Sequence, residues 1–423
     1  MSVGGEGHGS NRIGGRFTMR PVWQIMGAAG IFAIALSPVP SAAQLEEANG
    51  IKVGDGRLHP YLGLELRYDT AALYSDTNQL RSEVIAHISP GLKFDLLGPA
   101  VMINLDGKVD YVRYTGWVTP GSGSLSRLQA EATLAAKYIK EGPFGVELAD
   151  QFSRLDRTTN VSLGVGILSL YNDVRLAVPI HPGGGAIEVT PSLSYSLERL
   201  DRISLQTVPG CTDLSCDPNF VAGQNYQEVR PALEARWRFF PKTAFVLDTR
   251  IHFRTYQSSS NPSASLIKGL AGVAGLISAK VAVVAKVGWG QDFTGSRGKT
   301  VLGQLELTYL VSDTNKLKIG YLHTLEPVSV FGSYADHRAY GETRLLLSGR
   351  LQLHASVAAD FLSFTNSSRN DTDFSVMVEP EYQVTKWMIV TVGYRLDLRS
   401  SNQSTVSLNF ARHEPYLRVV FIY

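Results

Sequence analysis

The chain has 423 residues, long enough for two or three soluble domains, yet only 18% are charged and Gly is abundant at 40 residues. The 40 Lys and Arg nearly balance the 38 Asp and Glu, so no net field favours nucleic acid as a partner. Mean hydropathy is near zero, and beyond the N-terminus no apolar run approaches the roughly 20 residues of a membrane-spanning helix.

Residues 1–43 read as a cleaved signal peptide. Arg12, Arg16 and Arg20 form a basic start, and residues 22–36 form an apolar stretch of about 15 residues. Ser41-Ala42-Ala43 supplies the small residues that a signal peptidase reads, which places cleavage before Gln44. Pro38 and Pro40 break the apolar stretch and argue against an uncleaved anchor helix. No Cys follows to carry a lipid anchor. Cleavage removes the three Arg together with Glu6, so the remaining charges stay balanced. Residues 44–57 are a short periplasmic lead-in, and one architecture runs through 58–423.

That architecture is a repeated pattern. An alternating run ends in a tight turn, a second run follows, and then comes a longer polar loop. Tight turns fall at Leu97-Gly98-Pro99, Glu141-Gly142-Pro143, His181-Pro182-Gly183-Gly184, Pro241-Lys242-Thr243, Ile277-Ser278, Asp313-Thr314-Asn315, Ser348-Gly349 and Thr385-Lys386. Longer loops are expected at 69–82, 116–126, 200–225, 257–262, 327–337, 366–373 and 400–413, with two more completing the series. Gly interrupts the alternation in 161–179 and 263–277. Eight turns and nine loops join eighteen strands, which predicts an all-β fold: a transmembrane, antiparallel, up-and-down β-barrel. An even strand number puts both chain ends on the periplasmic side.

The two faces of these strands differ in kind. In 233–239 one face carries Leu233, Ala235, Trp237 and Phe239, and the other Glu234, Arg236 and Arg238. In 245–254 the apolar set is Phe245, Leu247, Thr249, Ile251 and Phe253, and the opposite set includes Asp248, Arg250, His252 and Arg254. Asn104, Asp106, Lys108 and Asp110 form another polar face, and Thr190, Ser192, Ser194 and Ser196 a fourth. A soluble sandwich would alternate as well. The barrel is favoured by the sum of export signal, terminal strand, absent helices and aromatic residues near strand ends: Tyr68, Tyr111, Trp237, Trp289, Tyr309, Trp387 and Tyr423. Eighteen strands enclose an aqueous channel. Transport of a hydrophilic solute is the function this implies, with a diffusion porin as one form of it.

The last stretch, 415–423, puts Leu417, Val419, Phe421 and Tyr423 on one face and Arg418 on the other. It resembles the terminal strand of bacterial outer-membrane barrels, in which such residues signal to the barrel assembly machinery. The resemblance implies a Gram-negative outer membrane, with its lipid and that machinery as partners.

Two sets of residues invite a chemical reading. The basic group Arg236, Arg238, Arg250 and Arg254 interleaves with Glu228, Glu234 and Asp248. It reads either as a charge ladder that stiffens the wall or as a track for an anionic ligand. A three-residue turn at 241–243 would place Arg236 across from Asp248, Glu234 across from Arg250, and Arg230 across from Arg254 without an acidic partner. His354 and Ser356 share one face, as in outer-membrane phospholipases and lipid A deacylases, where such a pair faces lipid. Here Leu351, Leu353, Ala355 and Val357 occupy the lipid face, and no third orienting residue is identifiable. The pair is therefore expected to line the lumen, and no enzyme activity is expected. No cofactor site and no metal site is expected, since no Gly-rich loop precedes a helix and His59, His87 and His252 are scattered. Cys211 and Cys216 are the only cysteines. In an exported chain they are expected to form a disulfide rather than two free thiols.

The segments Arg236-Trp237-Arg238-Phe239-Phe240-Pro241-Lys242-Thr243 and Tyr309-Leu310-Val311-Ser312-Asp313-Thr314-Asn315 join a charged inner face to a short turn. With the length, the signal peptide and the strand count, the chain resembles the outer-membrane barrels of exopolysaccharide secretion systems. The resemblance covers the mature chain by pattern and brings no diagnostic catalytic or binding residue. It implies export of a secreted polysaccharide in concert with a periplasmic polysaccharide-export protein. No tetratricopeptide region precedes the barrel, unlike in poly-N-acetylglucosamine exporters.

Overall fold

A computed structural model describes residues 50–74, 80–138, 143–156, 167–182, 185–202, 217–258, 261, 263–294, 298–312, 314–329, 332–403 and 408–423. The signal peptide and its cleavage site, and the pair Cys211 and Cys216, lie outside the described residues. Nineteen strands occur in these residues: β1 (Ile51–Val53), β2 (Gly56–Tyr74), β3 (Leu80–Leu97), β4 (Val101–Tyr114), β5 (Arg127–Tyr138), β6 (Val146–Leu155), β7 (Ile167–Ala177), β8 (Ile187–Arg202), β9 (Tyr226–Phe240), β10 (Thr243–Tyr256), β11 (Ala264–Leu276), β12 (Val281–Asp292), β13 (Lys299–Leu310), β14 (Lys316–Val328), β15 (Gly332–Ser348), β16 (Leu351–Phe364), β17 (Asn370–Thr385), β18 (Met388–Ser401) and β19 (Phe410–Ile422). From β2 onward each strand pairs antiparallel with its neighbour in sequence, and β19 pairs with β2. Eighteen strands thus close into an up-and-down barrel. The short β1 folds back on the start of β2 through Gly54, whose φ of +61° suits a residue without a side chain.

Of the eight tight turns read from the sequence, those at 97–99, 241–243, 277–278, 348–349 and 385–386 each join two consecutive strands at one end of the barrel, and those at 141–143, 181–184 and 313–315 lie in part outside the described residues. At the other end the loops are shorter than expected in several places. β17 already starts at Asn370, within 366–373, and β18 reaches Ser401 and β19 starts at Phe410, both within 400–413. Strand pairing runs through much of 69–82, leaving 75–79 between β2 and β3, and through most of 327–337, leaving 329–331 between β14 and β15. Thr70 and Pro327, which read as loop residues, lie within strands. The long connection after β8 holds a short helix, α1 (Pro218–Gly223), capped by Asp217, whose carboxylate accepts from the Asn219 backbone N–H at 2.9 Å. Val221 of this helix packs against Ile167 and Leu200.

Alternation sorts the side chains. On β13, Val301 is 65% exposed and Leu305 49%, with Leu307 and Tyr309 exposed on the same face. The intervening Leu302 is buried, and Glu306 is engaged by neighbouring strands. In a closed barrel the exposed apolar face is the outside, and the face that carries buried charges is the inside.

Three joints of one design recur on the inner face. Tyr61, Tyr340 and Tyr416 each lie flat over a glycine directly across the ladder: Gly91, Gly320 and Gly393. A Cβ at any of these glycines would overlap the tyrosine ring. The missing side chain lets each hydroxyl reach a carboxylate two strands away. Tyr61 donates to Asp106 at 3.1 Å, Tyr340 to Glu306 at 2.7 Å, and Tyr416 to Glu379. Gly393→Ala should displace the Tyr416 ring, break its bond to Glu379 and cost about 1–3 kcal/mol. Tyr416→Phe loses the same bond, so the double variant should be destabilised by clearly less than the sum of the two. Urea unfolding in detergent micelles, followed by tryptophan fluorescence, measures this. Strict additivity would show that the glycine serves some other need.

Candidate functional site: the charged inner face

The candidate site is the inner wall, where alternation places most of the charged side chains of the barrel strands. Its densest part spans β7 to β10. Glu228 of β9 is fully buried and meets three basic groups. His252 Nδ1 lies 2.9 Å from one of its oxygens. Arg254 donates to the other at 3.2 Å, and Arg230 lies 3.5 Å from it. Arg230 also binds Asp173 of β7, and Ser169 donates to Glu198 at 2.8 Å. The Arg254 guanidinium sits 3.9 Å over the Tyr226 ring, a cation–π contact that holds it flat against the wall.

This geometry corrects the register expected for the β9–β10 hairpin. Arg236 pairs with Val246 rather than Asp248, and Arg250 pairs with Ala232 rather than Glu234. The cause is local. The turn is the two residues Pro241-Lys242, and an irregularity between Thr243 and Ala244 shifts the ladder. Arg230 and Arg254 are therefore not a facing pair without acidic partners, since both bind Glu228. Glu234 instead sits across from Asp248. Like charges directly opposed are unfavourable, and neighbouring strands compensate. Arg175 donates to Glu234 at 3.0 Å, while Arg250 and Lys286 lie 3.8 and 3.9 Å from Asp248. Arg238, near the turn end, is 3.7 Å from Glu188.

The other residues singled out from sequence are also engaged with neighbours. Asp106 takes the Tyr61 hydroxyl and lies 3.5 Å from Lys93, and Lys108 meets Glu131 at 3.1 Å. Asp110 accepts from Ser89 at 2.9 Å and lies 2.7 Å from His87 Nδ1. His354 sits between Glu379 at 3.4 Å and Glu342 at 3.6 Å, and Ser356 pairs with Glu342 across the ladder. Among the described residues no hydrogen bond joins His354 to Ser356. Leu417, Val419 and Phe421 lie on β19, and the Tyr423 backbone N–H donates to Pro60 O at 3.1 Å.

Two groups were not anticipated. One is the seam network. Arg418 donates to Glu65 at 2.8 Å, Arg67 donates to Glu65 at 2.5 Å, and Arg67 reaches Glu414 at 3.5 Å. The other is the pair Lys268 and Glu326, 2.7 Å apart although β11 and β14 are three strands from each other. The inward parity of Glu65, Arg67 and Arg418 was legible in the alternation. The Lys268–Glu326 pair had no local signal.

No protein family matches the chain, and no curated relative matches it in sequence. Solved structures similar in shape include OccAB3 of Acinetobacter baumannii, at 10% identity over 88% of this chain and 100% of that one, with a TM-score of 0.44. A mutant of the ferric enterobactin receptor PfeA of Pseudomonas aeruginosa matches at 8% identity over 86% and 80%, with a TM-score of 0.47. The siderophore receptor PirA of Pseudomonas aeruginosa matches at 7% identity over 88% and 81%, with a TM-score of 0.44.

Removing Glu228 leaves three basic groups facing one another in a buried site. Glu228→Ala should cost about 3 kcal/mol or more, as breaking a buried pair does. Glu234→Ala, at a more open position beside Arg175, should cost well under half as much. Unfolding midpoints of the two variants in detergent test this, and equal losses would contradict a hub role for Glu228.

Proposed function

We propose that this chain is an integral outer-membrane β-barrel that conducts a hydrophilic solute. The observation that carries the reading is the division of faces around a closed wall: apolar side chains exposed outside, charges and hydroxyls inside. Water would not leave so large an apolar surface uncovered, since soluble monomers rarely expose contiguous patches above a few hundred Å². A closed barrel satisfies its backbone internally, as hydrocarbon demands. The shortest barrel strand, β6, has 10 residues, within the 9–11 that cross a bilayer at a tilt. Trp237, Tyr309 and Trp387 ring the turn end, and Tyr68, Tyr111 and Trp289 the loop side, in keeping with aromatic girdles at two interfaces.

The cargo implied by the family resemblance is a secreted polysaccharide, received from a periplasmic polysaccharide-export protein. A second reading, diffusion of small solutes, draws support from the end of the β14–β15 hairpin, which occupies part of the lumen. The purified protein, reconstituted in planar bilayers, should produce discrete conductance steps. In swelling assays with proteoliposomes, entry of mono- and disaccharides would favour the porin reading. Conductance without entry of small sugars, together with loss of surface polysaccharide when the gene is deleted, would favour export. An electrically silent barrel would overturn the conduit reading.

A further inference from the structure

The end of the β14–β15 hairpin does not continue the wall. Pairing of β14 with β13 stops at His323 opposite Gly303, whereas pairing with β15 runs on to Val328 opposite Gly332. Along the lower part of β14, Leu317, Ile319 and Tyr321 face outward and are exposed. The same face continues to Leu325, which is only 1% exposed and packs with Ala335 against Leu266, Leu270 and Leu302. Those three leucines lie on the inner faces of β11 and β13, on the same side as Lys268 and Glu306. An outward face can rest on an inner wall only if the hairpin end has folded into the barrel.

Polar ties reach further across. Glu326 meets Lys268 at 2.7 Å, and Arg254 of β10 donates to the Pro327 carbonyl at 2.9 Å. Ser329 donates to Gln224, just past α1, at 2.5 Å. On the other flank Val328 packs against Leu362 and Phe364 of β16. Gly332 turns the tip with φ +80°, close to Asn366 and Asp292, where a side chain would be both strained and crowded. Ser329, Ser333 and Asp336 are buried at an end of the barrel where a loop would ordinarily be wet.

We propose that this folded-in part of the hairpin, residues 324–329 and 332–336, is the constriction that sets the size limit of the conduit. The inference rests on the conduit reading given above. The apolar seat of Leu325 fixes the segment to the wall, and the ties of Glu326, Pro327 and Ser329 hold it across the lumen. What passes must pass between its free face and the opposite wall.

Two variants of the full chain test this in planar bilayers, with polymer exclusion measuring the bore. In the first, residues 326–334 are replaced by Asn-Gly, a two-residue hairpin turn. In the second, Leu325→Asp puts a charge into the apolar seat and should release the segment without removing it. Conductance of the shortened form should rise to roughly twice that of the unaltered protein or more, and larger polyethylene glycols should enter, because bore radius governs both. Leu325→Asp should shift both in the same direction by less, and it carries the test if the shortened form fails to fold as judged by heat-modifiable migration. Unchanged conductance and polymer cut-off in a folded variant would overturn the proposal while leaving the conduit reading intact. If neither the unaltered protein nor the variants conduct, the conduit reading fails and takes this proposal with it.

Discussion

Everything in this structure depends on the ladder that joins the last strand to the first. Residues Tyr416 to Ile422 of β19 pair with Arg67 to Tyr61 of β2, and the Tyr423 amide extends the contact to Pro60. Without that ladder the sheet would have two open edges, and an open edge is untenable in hydrocarbon and sticky in water. Closure also removes any choice about side-chain placement. Every second residue must face outward and the rest must share the interior. The same seam is stitched from inside by Glu65 with Arg67 and Arg418, so backbone and side chains close the ring at one place.

The interior charges compensate one another across strands. Glu228 gathers His252, Arg254 and Arg230, while the opposed carboxylates Glu234 and Asp248 are relieved by Arg175 and Lys286 from strands on either side. The tyrosine–glycine joints extend this logic over two strands at a time. Around the arginine ladder, acidic and basic groups are thus matched across the strands. That favours the wall-stiffening reading of the arginine ladder over a continuous anion track.

Much of the architecture was legible because it is written locally. Strand alternation identified the outward sets, such as Leu233, Trp237 and Phe239, and Gly, Pro or Asn marked six of the eight turns read from the sequence. Register was not legible. Whether Pro241-Lys242-Thr243 makes a two- or three-residue turn, and where the ladder slips, decides whether Asp248 meets Arg236 or Glu234, and alternation is blind to that. The folded-in hairpin was equally hidden. Leu325 continues the outward-facing set of β14, and Pro327 and Gly332 look like loop residues. Its true surroundings are supplied by strands up to four positions away and by the end of α1, and no local signal reports them.

The central claim is that one face of each strand meets water inside a closed wall and the other meets lipid. It is tested most directly by cysteine scanning along β13 in liposomes, with Cys211 and Cys216 replaced by Ser. A water-soluble maleimide should label Cys at positions 304, 306 and 308. A lipid-dissolved quencher should reach probes at 301, 305, 307 and 309, where Val301, Leu305, Leu307 and Tyr309 are exposed on the outer face. Uniform water labelling at all seven positions, or the reverse alternation, would contradict the account.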